Sequence, residues 1–426
     1  MEKLGIPTVT IVSSRFISLA KIASEGRGAA GLCFVEVPHP FELISKEQVE
    51  AKADVAFPEI IKAATQWKVP VAPQQAKPYP AETVKFTGNV KDVEDFFFDK
   101  GWSMGVPFIP PTKNSVAAML KGTTRRPDEL LWVIPPRGGL VTVEEVAVHA
   151  VMAGAEPEYM PVIIAIIEMM RKEEYHWVEN VTTSPVWPVV IVNGPIVKEI
   201  GIAYSTGTGG RDHKANIAIG LTISSIVDVI GGSKYPVPNM SPVGNPAEIV
   251  SVVMGENEDE LPEGWEPFHV ETGYKKTDSV VSVGRSMGFY MLGENGGTVE
   301  DMLWSFAKTL SYAKQSLSGG ALLLLPPQPA AFLARAGWTK DRIREYLWEN
   351  ARSPASWWRR VFPKDGLTAA KEAPGFAEKY GPITPDTLLP TVASPEMYKI
   401  VVTGGPGSHS FHYKQTGQFF TNLIKK

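Results

Sequence analysis

The chain has 426 residues, of which 44% are hydrophobic and 21% charged, with a formal net charge of −4. That length supports two or three domains with full cores, and the balance is that of a globular protein. No basic cluster exceeds Arg125-Arg126 or Trp357-Trp358-Arg359-Arg360, so there is no electrostatic footprint for nucleic acid.

No apolar run reaches the ~18 residues that a membrane span needs, and the N-terminus lacks a basic stretch followed by an apolar core and a cleavage site. A membrane is therefore not an expected partner, and a cytoplasmic protein is the default expectation. The single thiol, Cys33, excludes an internal disulfide and suits a reducing compartment. The 36 prolines lie outside any low-complexity tract, which implies well-ordered loops.

In chain order, residues 6–12 read as a β-branched strand, 16–23 as a helix, 31–37 as a strand closing on Pro38-His39-Pro40, and 46–67 as a helix. Residues 1–70 thus form an N-terminal β-α-β-α piece, followed by a proline-spaced linker over 71–85. Helices are expected over 93–100 and 115–121. The most structured stretch is 128–170, read as strand, loop, helix, helix. Residues 131–134 are an apolar strand stopped by Pro135 and Pro136, and Arg137-Gly138-Gly139 is the loop. Thr142 and Glu145 have capping-box spacing and start a helix at Val143 that ends at Gly154. Residues 160–170 are apolar on every side except Glu168, so that helix should be buried all round.

A second copy of this pattern follows: an apolar strand over 321–325, Pro326-Pro327, a helical run to Ala336, Gly337, and a helix opened by Thr339. After each copy comes a strand broken by glycine and proline, at Asn193-Gly194-Pro195 and at Gly404-Gly405-Pro406. The fold class is therefore α/β: two similar halves, 86–265 and 266–426, arising by internal duplication, plus the small N-terminal piece. Between them, residues 206–211 lead into a long apolar helix ending at Gly231-Gly232. Residues 280–283 read as a strand and 298–317 as a helix. Residues 349–390 are aromatic and irregular, and the final strand runs into Gly404.

Chemistry is expected where broken strand ends converge on a cleft. Gly207, Gly209 and Gly210 let the backbone approach a ligand, and Arg211 with the following helix N-terminus favours an anion, carboxylate or phosphate. The spacing fits neither a dinucleotide fingerprint nor a Walker loop, and no cofactor is implied. Gly404, Gly405 and Gly407 form the matching loop, carrying Ser408 and His409 as candidate catalytic groups. His409 and His412 would share a face if helical and hold a metal with His213 or Asp212. His39, between prolines at a strand end, is a third catalytic candidate. Arg137 and Gly138 would clamp a carboxylate, or Arg137 make a surface salt bridge, and Asn193 would line the same site or serve as turn chemistry. His149, His176 and His269 read as structural, and the Trp357-Trp358 pair as core.

The runs GIPTVTIV (5–12), VPHP (37–40), GWSMGVPFIPPT (101–112) and PPRGGLVTVEEVAVHAVMAGAEPEYMPV (135–162) together resemble the family of (seleno)proteins named for a U-G-S-C motif, in which U is selenocysteine or cysteine. The resemblance implies an α/β fold and thiol or selenol chemistry, with the redox motif on a loop just before the strand at residues 6–12. The chain starts after that place, and Cys33, at a strand start, is no substitute. Three alternatives are open: the reading frame begins upstream, a separate thiol- or selenol-bearing subunit supplies the nucleophile, or the redox chemistry is gone. The expected function is an enzyme, or the large subunit of one, acting reductively on a small anionic molecule in an oligomer. A hydrolase or lyase using His409 as base, and a non-catalytic ligand-binding or scaffolding subunit, are the other readings.

Overall fold

The computed structural model describes residues 8–26, 29, 32–41, 44–66, 83–172, 175, 182–292, 297–313, 319–357, 384–415 and 418–425. Most of the expected linker, His176, Trp358 and the middle of the aromatic 349–390 stretch lie outside the described residues. The chain divides into two compact units: unit 1 is Met1–Pro185 with Leu221–Ile249, and unit 2 is Val186–Gly220 with Val250–Lys426.

Unit 1 opens with β1 (Thr10–Ser13), α1 (Ile17–Gly26), β2 (Phe34–Val37) and α2 (Lys46–Gln66). The strands are parallel, Thr10 opposite Phe34 and Ser13 opposite Val37, which requires the crossover that α1 provides. Val35 and Val37 pack against Ala56 and Ala63 of α2. Next, α3 (Val90–Asp99) starts from a complete capping box between Asn89 and Asp92, and α4 (Lys113–Met119) from Thr112, whose hydroxyl accepts the Ser115 N–H. Phe96 and Phe97 meet Trp102 edge-on, and Phe97 packs on Phe108.

The stretch around residue 135 folds differently from the expectation. β3 (Leu130–Ile134) turns through Pro135-Pro136-Arg137-Gly138 and returns as β4 (Gly139–Thr142) in an antiparallel hairpin. A helix does begin at Val143, capped by the Thr142 hydroxyl: α5 (Val143–Met152) stops before Gly154, whose φ is +72°. After a short 3-10 turn over Pro157–Tyr159 comes α6 (Met160–Met170), in which every residue but Glu168 is buried. Each such apolar side chain contributes roughly 1.5–3 kcal/mol on burial. Glu168, the exception, pairs with Arg125.

Unit 2 is built on a seven-stranded mixed sheet. Its elements are β5 (Trp187–Asn193), α7 (Ile196–Glu199), α8 (Lys214–Ser225), β6 (Val252–Gly255), α9 (Phe268–Glu271), β7 (Val280–Met291) and α10 (Val299–Ala313), then β8 (Ala321–Leu325), α11 (Pro327–Arg335) and α12 (Lys340–Asn350). A small antiparallel pair follows, β9 (Arg352–Pro354) with β10 (Leu388–Pro390), and then β11 (Tyr398–Val402), β12 (Phe411–Gln415) and β13 (Phe420–Leu423). The boundary between the units falls inside α8, which runs on into a π-helical turn over Ile226–Ile230.

The sheet order is β11-β8-β12-β7-β5-β6, with β13 continuing along β7 beyond β12. β5 is parallel to β6 and antiparallel to β7, while β8 is parallel to β11 and antiparallel to β12. The same strand–helix–parallel strand–antiparallel strand unit therefore occurs twice within one sheet. The repeat pairs β5 with β8 and β6 with β11, which corrects the pairing of residues 131–134 with 321–325: β3 folds back on β4 and never joins this sheet. It also moves the expected boundary at residue 265, because β5 and β6 lie in the same sheet as β7. The edge strands meet at their C-terminal ends, where the Asn257 N–H donates to Val402 O at 2.7 Å and Thr403 Oγ1 donates to Gly255 O at 2.7 Å. The sheet thus curls back on itself. Trp357, expected in a core, is 40% exposed.

Candidate functional site

The two glycine loops expected to converge belong to the same unit and touch. A Cβ built on Gly405 would fall 1.9 Å from Thr206 Oγ1 and 2.9 Å from Thr206 Cα, so only glycine admits the approach. The Gly404 N–H donates to Tyr204 O at 2.9 Å, and Gly404 itself has a φ of +104°. Within the first loop, the Gly210 N–H donates to Gly207 O at 2.7 Å, and Thr208 Oγ1 donates to Ala203 O at 2.6 Å. Asn216, in the first turn of α8, fastens this loop to the sheet. Its Oδ1 accepts the Ala203 N–H at 2.8 Å, and its Nδ2 donates to Val253 O at 2.9 Å and Thr208 O at 3.2 Å.

The N–H groups of Gly207, Gly209, Gly405 and Gly407 donate to no acceptor among the described residues. Gly207 and Gly209 are exposed and Gly405 and Gly407 half-buried, and the first loop leads into the N-terminus of α8, where unpaired N–H groups can receive an anion. Arg211 was expected to add charge, but its side chain is 94% exposed and its Nε lies 3.5 Å from the carboxylate of Asp212, so it turns to solvent. Asp212 takes a φ of +71°, the left-handed region that short polar side chains tolerate best among non-glycine residues. Ser408 and His409 are exposed in the second loop.

Beneath the first loop stand two side chains. A Cβ on Gly209 would lie 3.7 Å from Met254 Cε of β6 and 4.0 Å from the hydroxyl of Tyr413 on β12. Tyr413 is 5% exposed, its ring packs on Phe289 at 4.7 Å, and burial raises its hydroxyl pKa above the ordinary tyrosine value. The strand running into Gly404 was expected to be the last, so β12 and this phenol were both missed.

The metal expectation fails on the same strand. His412 lies in β12, fully buried and stacked on Tyr290 at 5.2 Å, so it does not share a helical face with His409. His213 places Nε2 3.2 Å from Thr206 O. Among the described residues no group of three or more His, Cys, Asp or Glu side chains is arranged to hold a metal ion.

Asn193, read as site lining or turn chemistry, heads a buried polar cluster at the C-terminal ends of β5 and β6. Its Nδ2 donates to Glu256 Oε2 at 2.6 Å and to Glu258 Oε1 at 3.0 Å, while its Oδ1 has no partner. Glu256 also accepts the Phe268 N–H at 2.6 Å and lies 3.7 Å from the Lys340 ammonium, itself 4% exposed. Burial raises the Glu256 pKa, against the lowering effect of Lys340. Asn257 follows with Nδ2 bonded to Glu260 and an unpaired, buried Oδ1. Sequence reasoning passed over Glu256 and Lys340, which lie far apart in the chain. The only hint was the acid-rich stretch Glu256-Asn257-Glu258-Asp259-Glu260.

The remaining expected residues lie in unit 1. Arg137 and Gly138 sit in the β3–β4 turn, where Arg137 Nη1 donates to Val229 O at 3.0 Å and its side chain lies against Gly232. The guanidinium is partly engaged by backbone there, which corrects the expected carboxylate clamp shared with Asn193. His39 stands, as expected, at the C-terminal ends of parallel strands. Its Nδ1 is 3.2 Å from Ser13 Oγ, its N–H donates to Ser14 Oγ at 3.2 Å, and Lys52 Nζ donates to the flanking Pro38 and Pro40 carbonyls at 2.9 and 2.7 Å.

No curated protein and no solved structure matches the chain. The motifs at 101–112 and 135–162 fall outside the span that a family model matches, whereas β1, β2, α2 and His39 fall inside it. Residues 1–66 match the UGSC family model, so the chain carries a UGSC-family segment, consistent with a UGSC-family protein.

Proposed function

We propose that the protein is an enzyme, or the large subunit of one, and that unit 2 holds a small anionic molecule at the paired glycine loops. The observation that carries this reading is the backbone contact of Gly405 with Thr206. It brings together two loops whose Gly207, Gly209, Gly405 and Gly407 N–H groups have no acceptor among the described residues, the first of them leading into the N-terminus of α8. Oriented N–H groups need no side-chain charge to receive an oxyanion, because each contributes a fixed partial positive charge. The UGSC-family segment favours thiol- or selenol-dependent reductive chemistry on the bound molecule, with the nucleophile supplied from outside these residues by a thiol- or selenol-bearing subunit.

The test is titration calorimetry of the purified full chain with sodium acetate and with inorganic phosphate, for wild type and Gly405→Val. The added side chain would collide with Thr206 and separate the loops. Wild type should bind at least one of the two anions, and the variant should bind about tenfold or more weakly, since several charge-assisted hydrogen bonds are lost at once. Equal affinities in the two proteins would overturn the reading.

A further inference from the structure

We infer that the guest of the glycine loops is a monoanionic carboxylate and that the Tyr413 hydroxyl is one of its hydrogen-bond donors. This rests on the anion-site reading above and names its ligand class. Tyr413 rises from β12 with its hydroxyl 4.0 Å from the Cβ position of Gly209, 95% of its surface buried, and no hydrogen-bond partner among the described residues. The hydroxyl oxygen is not itself fully buried, so it sits at the surface end of an otherwise buried ring with its proton available. An acceptor atom arriving beside Gly209 would receive that proton.

The polarity of the surroundings fixes what arrives. The phenol stays protonated at neutral pH because burial raises its pKa, and the Gly207, Gly209 and Gly405 N–H groups are also donors. The guest must therefore present acceptor oxygens on more than one side, as a carboxylate does. Charge decides between carboxylate and phosphate. Arg211 is in solvent beside Asp212, His213 has its Nε2 against Thr206 O, Lys198 is paired with Asp259, and Lys340 lies by Glu256 and Glu271. The loops themselves contribute neutral dipoles and the α8 N-terminus, equivalent to about half a unit charge, with the exposed Lys214 and His409 at their margin. That complements one negative charge better than the two of a phosphate dianion, which proteins usually meet with arginine or lysine.

Titrations of the full chain with sodium acetate and with inorganic phosphate near pH 8, for wild type, Tyr413→Phe and Gly405→Val, test this. The phenylalanine ring keeps the Phe289 contact, so thermal unfolding of Tyr413→Phe should match wild type. Acetate affinity should fall about five- to tenfold in Tyr413→Phe, and wild type should prefer acetate to phosphate by about tenfold or more. If Gly405→Val loses acetate while Tyr413→Phe binds it as well as wild type does, the anion site stands and the role of Tyr413 is overturned. Phosphate binding as tight as acetate overturns the monocarboxylate class. Binding of neither anion by wild type removes the underlying site reading, and with it this inference.

Discussion

His149 shows how a single side chain ties stability to pH. It is buried in α5 with Nδ1 2.7 Å from Ser225 Oγ, and burial, with the charge of Lys234 a lesser cause, pushes its pKa down from 6.5 to about 4. The unfolded chain takes up a proton near 6.5, and the folded protein does so only near 4. The contribution is therefore complete above 6.5 and is lost as pH falls through the window to 4, amounting to about 3 kcal/mol. Urea unfolding of wild type at several pH values should show that loss, and His149→Asn should show a flatter dependence between pH 6.5 and 4. Parallel slopes would refute it.

Glu256 makes the complementary case in unit 2. It receives the Phe268 N–H and the Asn193 amide in a site without exposure, near the Lys340 ammonium. Glu256→Ala strands those donors and leaves Lys340 with Glu271 as its remaining carboxylate, so unfolding free energy should drop by about 3 kcal/mol or more. Glu256→Gln keeps one acceptor oxygen and should lose less. Denaturant midpoints of the two variants check the order, and an alanine variant no weaker than the glutamine variant would contradict it.

At the scale of elements, caps and glycines explain both the hits and the misses. Thr142 was legible as an N-cap because its hydroxyl needs only the local N–H of Glu145, and that bond is present at 3.2 Å. Thr142→Ala should cost about 1 kcal/mol, measured by chemical unfolding. The same stretch misled at Pro135-Pro136, because a proline pair stops one strand without saying whether the chain then turns into a helix or back into a hairpin. What decides is contact with Ile230, whose carbonyl would lie 2.2 Å from a Cβ on Gly139. Gly194 was legible as a turn, and tertiary contact makes it stricter. Its φ is +85°, and an added Cβ would come within 2.0 Å of Asp278 O. Gly194→Ala should therefore destabilise by more than the ordinary 1 kcal/mol or so of a left-handed position, with thermal unfolding as the measure.

For the whole molecule, the sheet of unit 2 sets which parts of the chain are needed together. β7 pairs with β5 on one side and with β12 and β13 on the other, so a fragment starting at residue 266 would expose the β5 side of β7 along its buried length. A fragment of residues 186–426 contains all seven strands. We expect the longer fragment to show cooperative unfolding by circular dichroism and the shorter one to be unfolded or aggregated. Cooperative folding of both would mean that β5 and β6 are dispensable. No helix among the described residues is long and apolar enough to cross a membrane.

The sequence by itself determined what short-range chemistry controls. It placed the helix starts at Thr142 and Thr339, the all-round burial of α6, the glycine-broken strand ends and the α/β class, because caps, apolar periodicity and proline act over a few residues. The meeting of the 207–211 and 404–409 loops was inferred from their likeness, and the contact of Thr206 with Gly405 bears out their proximity. Only the tertiary structure decided that the repeat runs from β5 to β8, that His412 is a buried strand residue, that Arg211 faces water, and that Tyr413 and Glu256 lie at polar sites. Most of these depend on pairing between residues many tens of positions apart in the chain or on which face of a strand is covered. A one-residue change of register reverses such a face, and nothing in the local sequence records it.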